Sequence, residues 1–587
     1  MDTMKKDVCV VGGGMAGIAA AVTAARQGAR VALVQNRSAL GGNASSEIRV
    51  HVCGADNHGH KPFLRETGIL EDIRLENLYG NPQRSYPVWD LILYDYVTRE
   101  PNVDLLLNTA CVGARMDGPR VAAALVEQTV NWRRFEIAAP VFIDASGDGR
   151  LAFEAGAEYR RGMEASSEYG ESAAPETANE FNMGSSLLYE VVDLGRPVPY
   201  APPVWAYDYK VKGLPAHRRP STGQLSGYWW VEYGGMLHPT EDGEEVRREL
   251  MRIMLGIWDY VKNSGEFPEA ANLAMSWAGQ LPGRRSGLRF LGDHVLCQRD
   301  LERFADFPDA VAYGGWPMDR HPCEGFYAEN PPAINIHMPD AYSIPLGSLY
   351  SRNVENLYLA GRCHSATYMA HSSTRVMGTG MSMGQAVGMA AAVGLERAAD
   401  ARRVREHFVG EVQQRLLKED VFIPGVRNED PADVARTARV TASSAESPEL
   451  GPENAVSGVA RPRGETPHRW ASAPGRAAGE WIRFEWGRAH TVSEVRLTFD
   501  TNLRPQFTFS IFPYVKQPLT APIPETVRDY RVEVREGHDW RAVAEVTGNF
   551  RRHRVHRFEP VATDAVRLVI DATNGAEQAL LYEARIY

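Results

Sequence analysis

The chain has 587 residues, 44% of them hydrophobic and 24% charged, and its formal net charge is −10 at pH 7. This length predicts two or three domains, because a single hydrophobic core does not grow to this size. The acidic balance argues against nucleic acid or an anionic membrane as the main partner. One basic run, RRHRVHR at 551–557, alternates with apolar residues, so we expect it to form the solvated face of a strand.

The cysteines are widely spaced and form no C-x-x-C pair, which argues against a disulfide framework and a zinc site and fits a reducing compartment. Without an H-x-x-x-H motif or a carboxylate cluster, no metal is expected. No run of 18 apolar residues occurs, so we expect a cytoplasmic protein without a membrane partner. The six cysteines are Cys9, Cys53, Cys111, Cys297, Cys323 and Cys363.

The N-terminal segment predicts a strand, a glycine turn, a helix and a second strand. DVCVVGGG at 7–14 is a short apolar run that ends in glycines. The following MAGIAAAVTAARQG predicts a helix that stops at Gly28, and ARVALVQN predicts the second strand.

Gly12, Gly14 and Gly17 stand in this unit at the spacing G-x-G-x-x-G. Gly12 permits the tight turn, Gly14 lets a pyrophosphate approach the backbone, and Gly17 lets the helix pack on the strand. Met15 and Ala16 lie at the helix N-terminus, where the positive end of the dipole favours phosphate. The complete unit therefore predicts a dinucleotide-binding site.

The end of the second strand departs from this pattern. Where an acidic residue would hold the ribose hydroxyls, the sequence has Gln35, followed by Asn36. An amide accepts a hydrogen bond without charge assistance, so we expect a weaker grip on the adenosine.

Further segments follow at 38–47 (SALGGNASSE), 142–157 (FIDASGDGRLAFEAGA), 356–365 (NLYLAGRCHS) and 378–392 (GTGMSMGQAVGMAAA). With the opening unit, over roughly the first 425 residues, they resemble FAD-dependent oxidoreductases of the glutathione-reductase-like superfamily. The resemblance implies a flavoprotein with non-covalent FAD. Besides the residues named above, it implies cofactor contacts from Gly41, Gly42, Asn43, Ala44, Ser45, Ser46, Val112, Ala145, Ser146, Gly147, Gly361, Arg362, Gly380 and Met381.

The resemblance also implies that the helix after GRCHS points its N-terminus at the flavin. A helix N-terminus stabilises the negative charge of a reduced flavin near N1 and O2. Glycines at 378, 380, 384 and 388 allow this helix to sit close to the ring system. Only one complete G-x-G-x-x-G unit occurs, so we expect neither a nicotinamide-binding domain nor a disulfide reductase, which needs paired cysteines.

Residues from about 180 to 345 are rich in aromatic residues and glycine and break the nucleotide-domain pattern. The resemblance implies that this insertion is an α+β substrate domain over the flavin. Within it, EEVRRELMRIMLGIWDYVKNSG predicts an amphipathic helix ending at Gly265, with its Met and Trp residues in the core.

Dehydrogenation of an alcohol needs a base near the hydroxyl, and histidine suits because it titrates near neutrality. His364 and His371 lie in the segment that joins the last predicted strand to the flavin-facing helix, so we predict that one of them is the base. His321, with Asp319 two residues away, is the alternative. His294 is a fourth candidate, and Arg285, Arg289 and Arg375 are candidates to hold a carboxylate or the cofactor.

Two other histidines, His51 and His58, follow the GGNASSEIRV segment. Some relatives attach FAD covalently at a comparable place. No local motif supports such a link here, so we expect FAD to be bound non-covalently.

After about residue 425 the pattern changes to short alternating strands separated by Gly, Pro and Asn, which predicts a β-sandwich. WIRFEW, VSEVRLTF, YRVEV, AVRLVI and EARIY are the predicted strands. Their order, with VTASS, NAVSG and HRWAS before them, resembles discoidin-like (coagulation-factor type C) domains. Such jelly rolls bind sugars or serve in packing, and both roles are left open. A Pro- and aromatic-rich loop at 505–525 is placed to reach the active site or a neighbouring subunit.

The predicted fold is a Rossmann-type α/β FAD-binding domain (1–180 and 346–428) with an inserted α+β substrate domain (181–345), followed by an all-β jelly-roll, discoidin-like sandwich (429–587). The predicted activity is that of an FAD-dependent oxidoreductase acting on CH–OH, which dehydrogenates a secondary alcohol of a carbohydrate or polyol. Redox-neutral elimination or epimerisation of a sugar, reduction of a C=C bond and glycan binding without catalysis are the alternatives. A homo-oligomer is left open.

Overall fold

A computed structural model describes residues 2–506, 508–512, 515 and 521–587. Its internal contacts divide the chain into two compact units. Residues 1–57, 85–409 and 508–516 form the first unit, and residues 58–84, 410–507 and 517–587 form the second. Among the described helices, none is both long and apolar enough to cross a membrane.

The first unit contains a five-stranded parallel sheet. In spatial order its strands are Leu357–Leu359, Val141–Asp144, Val8–Val11, Val31–Val34 and Val103–Leu106. The first four of these are buried along their whole length, as in a parallel sheet that is covered on both faces. The two strands predicted around the glycine turn are Val8–Val11 and Val31–Val34, which pair directly.

A second sheet of the first unit has four strands, ordered Asp2–Lys5, Arg133–Ala138, Arg120–Gln128 and Thr109–Asp117. Short two-stranded pairs occur between residues 159 and 345. They are Ser185–Ser186 with Glu232–Tyr233, Tyr189–Asp193 with Leu273–Ala278, Tyr159–Arg160 with Arg289–Phe290, Ala310–Gly314 with Tyr342–Pro345, and Met318–Arg320 with Ile334–Ile336.

Twelve α-helices occur in the described part of the chain, distributed over both units. The α-helices are Met15–Arg26, Ile69–Gly80, Tyr86–Thr98, Arg150–Glu154, Ser166–Tyr169, Tyr209–Lys212, Gly243–Asn263, Gln298–Glu302, Tyr368–Thr374, Met377–Arg397, Ala401–Arg403 and Val409–Lys418, with a π-helical turn at Val404–Phe408.

The helices Met15–Arg26 and Met377–Arg397 pack together through small residues. A Cβ added to Gly384 would lie 2.0 Å from the Ala16 carbonyl oxygen, and one added to Gly388 would lie 2.5 Å from that of Ala20. Only glycine allows backbones to approach so closely. The glycines therefore fix how near the two helices lie.

The segment predicted to be inserted between the nucleotide-binding parts has a hydrophobic core of its own. Its longest helix, Gly243–Asn263, buries Met254 and Trp258, which confirms the predicted helix and its core face. Gly265 follows with φ +83°, a left-handed conformation that ends the helix where the sequence predicted. Leu187 and Phe326 belong to the same core.

The second unit contains an antiparallel sheet. Its strands are Arg439–Ala442, Trp470–Ala471, Glu480–Phe499, Val527–Glu536, Asp539–Val546, His553–Thr573 and Leu580–Ile586. Trp470, Phe484 and Tyr530 lie in its buried core. The predicted order, a Rossmann-type α/β part followed by an all-β sandwich, is confirmed.

Two details of the predicted sandwich are wrong. WIRFEW and VSEVRLTF are two ends of one strand, Glu480–Phe499, and the register shifts after Glu485 and Val492 mark the irregular stretch between them. Within the basic run, Arg552 is 1% exposed rather than solvated. Its guanidinium Nε donates to Asp420 Oδ2 at 2.8 Å, so a distant carboxylate permits the burial of this charge.

The close approach of the two helices generates a stability prediction. Gly384→Ala adds a Cβ where the Ala16 carbonyl already lies. We expect the free energy of unfolding of the first unit to fall by about 1–3 kcal/mol, as for overpacked cores. Denaturant unfolding followed by circular dichroism measures this.

Gly410→Ala, in a helix of the second unit, is the control, because within the described chain no heavy atom lies within 4 Å of the added Cβ and the first unit should unfold as in the wild type. This helical substitution is expected to be neutral or to stabilise by up to about 1 kcal/mol. Equal stability of the two variants would contradict the helix contact.

Candidate functional site

The glycine turn follows the strand Val8–Val11. At Gly12 and Gly17, two of its three motif glycines, neighbouring protein atoms leave no room for a side chain. Gly12 has φ +108°, and a Cβ added there would lie 2.4 Å from the Ala145 carbonyl oxygen. A Cβ added to Gly17 would lie 1.7 Å from the Gly12 carbonyl oxygen. Both glycines are therefore required by the turn itself.

Gly14 differs, because the space beside it is open. Its φ is −70°, which any residue adopts. Among described residues, the nearest heavy atom to an added Cβ is the Cα of Gly42, at 3.9 Å. The helix Met15–Arg26 begins directly after it and carries no acidic side chain in its described first turn. Open space beside an uncapped helix N-terminus fits a phosphate.

The Gln35 amide is engaged with the backbone rather than left for a ribose. Its Oε1 accepts a hydrogen bond from the Gly13 N–H at 2.9 Å, and its Nε2 donates to the Ala39 carbonyl at 2.8 Å. The side chain therefore holds the glycine turn in place. The neighbouring Asn36 is exposed, and Val112 is 46% exposed on the strand Thr109–Asp117.

The segment Gly41–Ser46 lies beside the glycine turn, as the resemblance implied. The Gly41 N–H donates to the Gly13 carbonyl at 2.8 Å. Gly41 and Gly42 have φ of +100° and +60°, and a short 3-10 helix, Gly42–Ala44, follows. Asn43 Nδ2 donates to the Arg284 carbonyl at 2.9 Å, which ties this segment to the inserted part of the chain.

Ser45 and Ser46 fix the rest of this segment. Ser45 is buried and its Oγ donates to the Gly42 carbonyl, and the Ser46 N–H donates to Asp90 Oδ1 at 3.0 Å. Ala44 is buried, and its carbonyl accepts from Trp89 Nε1 at 3.0 Å. These partners hold Ala44–Ser46 away from the glycine turn, so the backbone of Gly41 and Gly42 faces Gly14.

Ala145–Gly147 and Gly361–Arg362 meet at the ends of two neighbouring strands. A Cβ on Gly147 would lie 2.6 Å from Arg362 Nη2. Arg362 Nη2 donates to Asp148 Oδ1 at 3.0 Å, and Arg284 Nη1 donates to Asp148 Oδ2 at 2.5 Å. Burial lowers the pKa of the Arg362 guanidinium, with Asp148 opposing it. Asp148 thus joins two arginines at this place.

Asp148 and Arg284 were not among the predicted site residues. Asp148 stands in the quoted ASGDG segment and Arg284 in LPGRRSG, so their residue types were visible in the sequence. Their contact joins residues 136 positions apart, which no local pattern predicts.

The helix Met377–Arg397 begins near these segments. Its described first turn contains no acidic side chain, and its Gly378 N–H donates to the Cys53 carbonyl at 2.7 Å. A Cβ on Gly380 would lie 3.3 Å from the Gly361 Cα, and Met381 is buried. The predicted helix is confirmed, and its N-terminus lies beside the Gly361 turn.

His364 and His371 are both fully buried and both bind the backbone of that turn. His364 Nδ1 lies 2.7 Å from the Gly361 carbonyl oxygen, and its Nε2 lies 2.9 Å from Thr374 Oγ1. His371 Nε2 lies 2.9 Å from the Arg362 carbonyl oxygen. The two rings stack with centroids 5.7 Å apart.

The surroundings of these two histidines favour their neutral forms. Burial lowers the pKa of His364 to about 4 and lowers that of His371 well below its usual value. A carbonyl acceptor fixes the proton on His364 Nδ1 and on His371 Nε2. His371 Nδ1 has no hydrogen-bond partner within the described part of the chain.

His321 lies in a different environment, between two carboxylates. Its Nδ1 is 2.7 Å from Glu232 Oε2, and its Nε2 is 3.2 Å from Asp319 Oδ2. Arg375 Nη2 donates to Asp319 at 2.9 Å, and Arg285 Nη1 lies 3.3 Å from Glu232. The five side chains form a chain of alternating charge, which we call the His321 network.

The network is largely buried. The side chains of His321 and Glu232 are each 3% exposed, whereas that of Asp319 is 16% exposed. Burial alone would raise the pKa of Asp319, but the charges of His321 and Arg375 hold it well below its usual range. Because both neighbours of His321 are acceptors, the contacts fit an imidazolium that donates from both nitrogens.

The remaining predicted candidates lie outside this network. His294 Nε2 is 2.9 Å from Asp300 Oδ2, and Arg289 is buried with its Nη2 at 2.6 Å from Glu164 Oε1. His51 Nδ1 is 3.0 Å from Ser510 Oγ, within the first unit. Within the second unit, His58 Nδ1 is 2.8 Å from Gln506 Nε2.

Glu232 was missed by the sequence reasoning. It stands in a two-residue strand, Glu232–Tyr233, inside a Trp-rich segment that was noted only for its aromatic residues. Its Oε2 contacts His321 89 positions away, and its Oε1 is buried without a partner among described atoms.

Comparison with known proteins identifies the first part of the chain. A profile of the family described as FAD dependent oxidoreductase matches residues 7–416. A search of curated proteins gives no match.

Solved structures of carbohydrate-binding modules are similar to about a quarter of the chain. Chitosan-binding module 1 of a chitosanase/glucanase from Paenibacillus sp. IK-5 has 21% identity, covers 26% of this chain and 98% of its own, and gives a TM-score of 0.20. A Clostridium perfringens module in complex with GalNAc-β-1,3-galactose has 15% identity, covers 26% and 99%, and gives 0.20. The family 32 module of Streptococcus pneumoniae EndoD has 15% identity, covers 26% and 96%, and gives 0.20.

The open space beside Gly14 generates a binding prediction. Gly14→Val should fold normally, because its backbone is unstrained and the described protein leaves room for a side chain. The added side chain should instead obstruct the pyrophosphate of FAD. We expect the affinity for FAD to fall about 10- to 100-fold, the equivalent of 1–3 kcal/mol of overpacking. Titration of the FAD-free protein by calorimetry measures this.

Gly17→Val is the contrasting variant, because its Cβ meets the Gly12 carbonyl oxygen. It should lose both stability and FAD. A Gly14→Val protein that binds FAD as tightly as the wild type would show that the pyrophosphate lies elsewhere.

Proposed function

The chain belongs to the FAD dependent oxidoreductase family, and from that premise we propose that it dehydrogenates a secondary alcohol of a carbohydrate or polyol. The observation that carries this proposal is the His321 network, a largely buried acid–base system in which Asp319 is the most exposed side chain. Such a network can take the proton of a hydroxyl group while hydride leaves the neighbouring carbon.

The residues near Gly14 fit FAD. Gly14 and Gly42 leave open space beside the N-terminus of Met15–Arg26, which would hold the pyrophosphate. Gly361, Arg362 and the N-terminus of Met377–Arg397 would hold the part towards the ring. When bound, FAD supplies the hydride acceptor. We propose that it is bound non-covalently.

The protonation of the His321 network determines whether it works as a base. With both ring nitrogens protonated, His321 cannot accept a proton. Loss of one proton leaves the remaining hydrogen shared with Glu232, and the Nε2 lone pair then lies towards Asp319. In that state the substrate hydroxyl can pass its proton to the Asp319–His321 pair. Arg375 would keep Asp319 ionised and oriented.

We place the base in this network rather than in His364 or His371. Both of those rings are 0% exposed, and each has one nitrogen bound to a carbonyl of the Gly361–Arg362 turn. Their low pKa values suit a neutral ring that holds the backbone. We propose that His364 and His371 position the turn.

The proposal of a sugar or polyol rests on aromatic side chains near the network. The ring of Trp229 lies edge-on to His321, with centroids 5.2 Å apart, and is half-buried. Trp316 is half-buried two residues before the strand Met318–Arg320 that carries Asp319. Tyr228 is a core residue and takes no part. A half-buried indole beside an acid–base network suits a molecule with an apolar face and hydroxyl groups.

Reduction of a C=C bond is a second candidate function. The observation that favours it is the pair of acceptors around His321, which fits a charged imidazolium, and an imidazolium donates a proton. Anaerobic mixing with sugars separates the two functions. An alcohol substrate reduces, and so bleaches, the flavin of a dehydrogenase but not that of a C=C reductase. A protein that only binds glycans would change its spectrum without reduction of the flavin.

The first prediction of this proposal concerns the attachment of FAD. Acid precipitation of the purified yellow protein should leave all flavin in the supernatant, identified as FAD by chromatography. His51 and His58 each have a side-chain partner at Nδ1, which is consistent with structural roles. Flavin in the pellet would contradict non-covalent binding, and His51→Asn and His58→Asn would then identify the attachment site.

The second prediction concerns the base. His321→Asn should lower the rate of anaerobic flavin reduction by about 10²- to 10⁴-fold with FAD still bound. Stopped-flow absorbance measures the rate of flavin reduction, using the sugar that reduces the flavin fastest in a panel of methyl glycosides, N-acetylglucosamine and glucuronate.

His364→Asn and His371→Asn are the controls for this experiment. If they only position the turn, they should weaken FAD binding and leave the reduction rate of the FAD-loaded protein close to that of the wild type. If the flavin of His321→Asn is reduced at the wild-type rate and that of either control is reduced more slowly, the base lies beside the Gly361 turn, as the sequence predicted.

A further inference from the structure

The chain segment 508–512 belongs to the first unit, although the residues before 508 and after 516 belong to the second. It is part of the Pro- and aromatic-rich loop at 505–525 that the sequence singled out. Residues 507, 513, 514 and 516–520 of this loop lie outside the described residues.

Three side chains of the segment contact the first unit. Phe509 packs on Tyr86, with ring centroids 4.3 Å apart. Ser510 Oγ is 3.0 Å from His51 Nδ1, and the ring of Phe512 meets the His51 ring edge-on at 4.7 Å. Phe512 is 3% exposed and Ser510 is 8% exposed, so the segment is an integral part of this unit.

Phe512 connects the segment to Trp229, which lies beside His321. It forms a buried cluster with Leu188, against which Trp229 packs. On one side its ring lies so close to the backbone that a Cβ on Gly227 would be 2.7 Å from Phe512 Cδ1. The ring is therefore held in one place.

Trp229 in turn contacts two members of the network. Its ring lies edge-on to His321, and its carbonyl accepts a hydrogen bond from Arg285 Nη2 at 3.1 Å. A shift of Trp229 would therefore move both the imidazole and the guanidinium that flanks Glu232.

We infer that Phe512 is a positioning residue for the active site: it fixes Trp229 and, through Trp229, the place of His321 and Arg285. The part concerning catalysis rests on the function proposed above. It follows that residues in the C-terminal third of the sequence support the proposed active site in the first unit.

The test uses the full-length, FAD-loaded protein labelled with 5-fluorotryptophan. The chain has 12 Trp residues, and loss of one signal in Trp229→Phe assigns the Trp229 resonance in the ¹⁹F NMR spectrum. We expect Phe512→Ala to shift this resonance.

Phe509→Ala is the matched control, because it removes the same ring from the same segment but from a contact with Tyr86. It should leave the Trp229 resonance in place. If Phe512→Ala does not fold, Phe512→Leu serves in its place. An unchanged Trp229 resonance in a folded Phe512 variant overturns the inference.

A second readout concerns catalysis. Phe512→Ala should slow anaerobic flavin reduction on the order of 10- to 100-fold, as expected for a small displacement of a reacting group. KM should change less than the reduction rate, and Phe512→Leu should restore part of the rate. A wild-type reduction rate with a shifted resonance overturns the link to the network. If no sugar reduces the flavin, the proposed function is contradicted. The ¹⁹F resonance of Trp229 still tests whether Phe512 positions Trp229.

Discussion

The close contact between the helices Met15–Arg26 and Met377–Arg397 is the constraint on which the nucleotide site depends. The backbones touch where Gly384 meets Ala16 and Gly388 meets Ala20, so any larger side chain would separate them. This contact sets the start of the first helix, at Ala16, against Gly384 of the second helix, whose Gly380 lies beside Gly361. Two helix N-termini without acidic residues then add their positive potentials. The candidate site for an anionic cofactor therefore depends on two features: the glycines, which let the helices approach, and first turns without acidic side chains.

The glycine turn of the candidate nucleotide site was predictable from the sequence because its parts are local. The turn at Gly12 requires a left-handed residue, and the approach of Gly17 to Gly12 requires the absence of a Cβ, so the spacing of the glycines reports the geometry directly. Gly14 is the glycine that points most directly to a ligand, because the described protein itself would leave room for a Cβ there. The role of Gln35 was not predictable, because its partners, Gly13 and Ala39, were not fixed by any pattern.

The candidate base illustrates where sequence reasoning stops. His364 and His371 were favoured because they lie between two predicted cofactor segments, and the structure indeed places them at the Gly361 turn. Their burial and the direction of each ring nitrogen depend on three-dimensional packing. The His321 network joins segments 56 and 89 positions apart, so Glu232 did not stand out, and Arg375 was named as a candidate to hold a carboxylate without its partner. Arg552 in the sandwich shows the same limit, since its neutralising Asp420 lies 132 positions away.

The charges of the His321 network and of the cofactor site complement one another. Arg285 and Arg375 contribute two positive charges and Glu232 and Asp319 two negative charges, so the protonation of His321 alone decides whether the network is neutral or carries +1. A buried group of this kind tolerates one extra proton because the carboxylates on both sides share it. In the proposed reaction, removal of hydride from an alcohol leaves its hydroxyl proton to be taken up, and the network would accept that proton. The helix N-termini of the candidate cofactor site would favour the negative charge of the reduced cofactor.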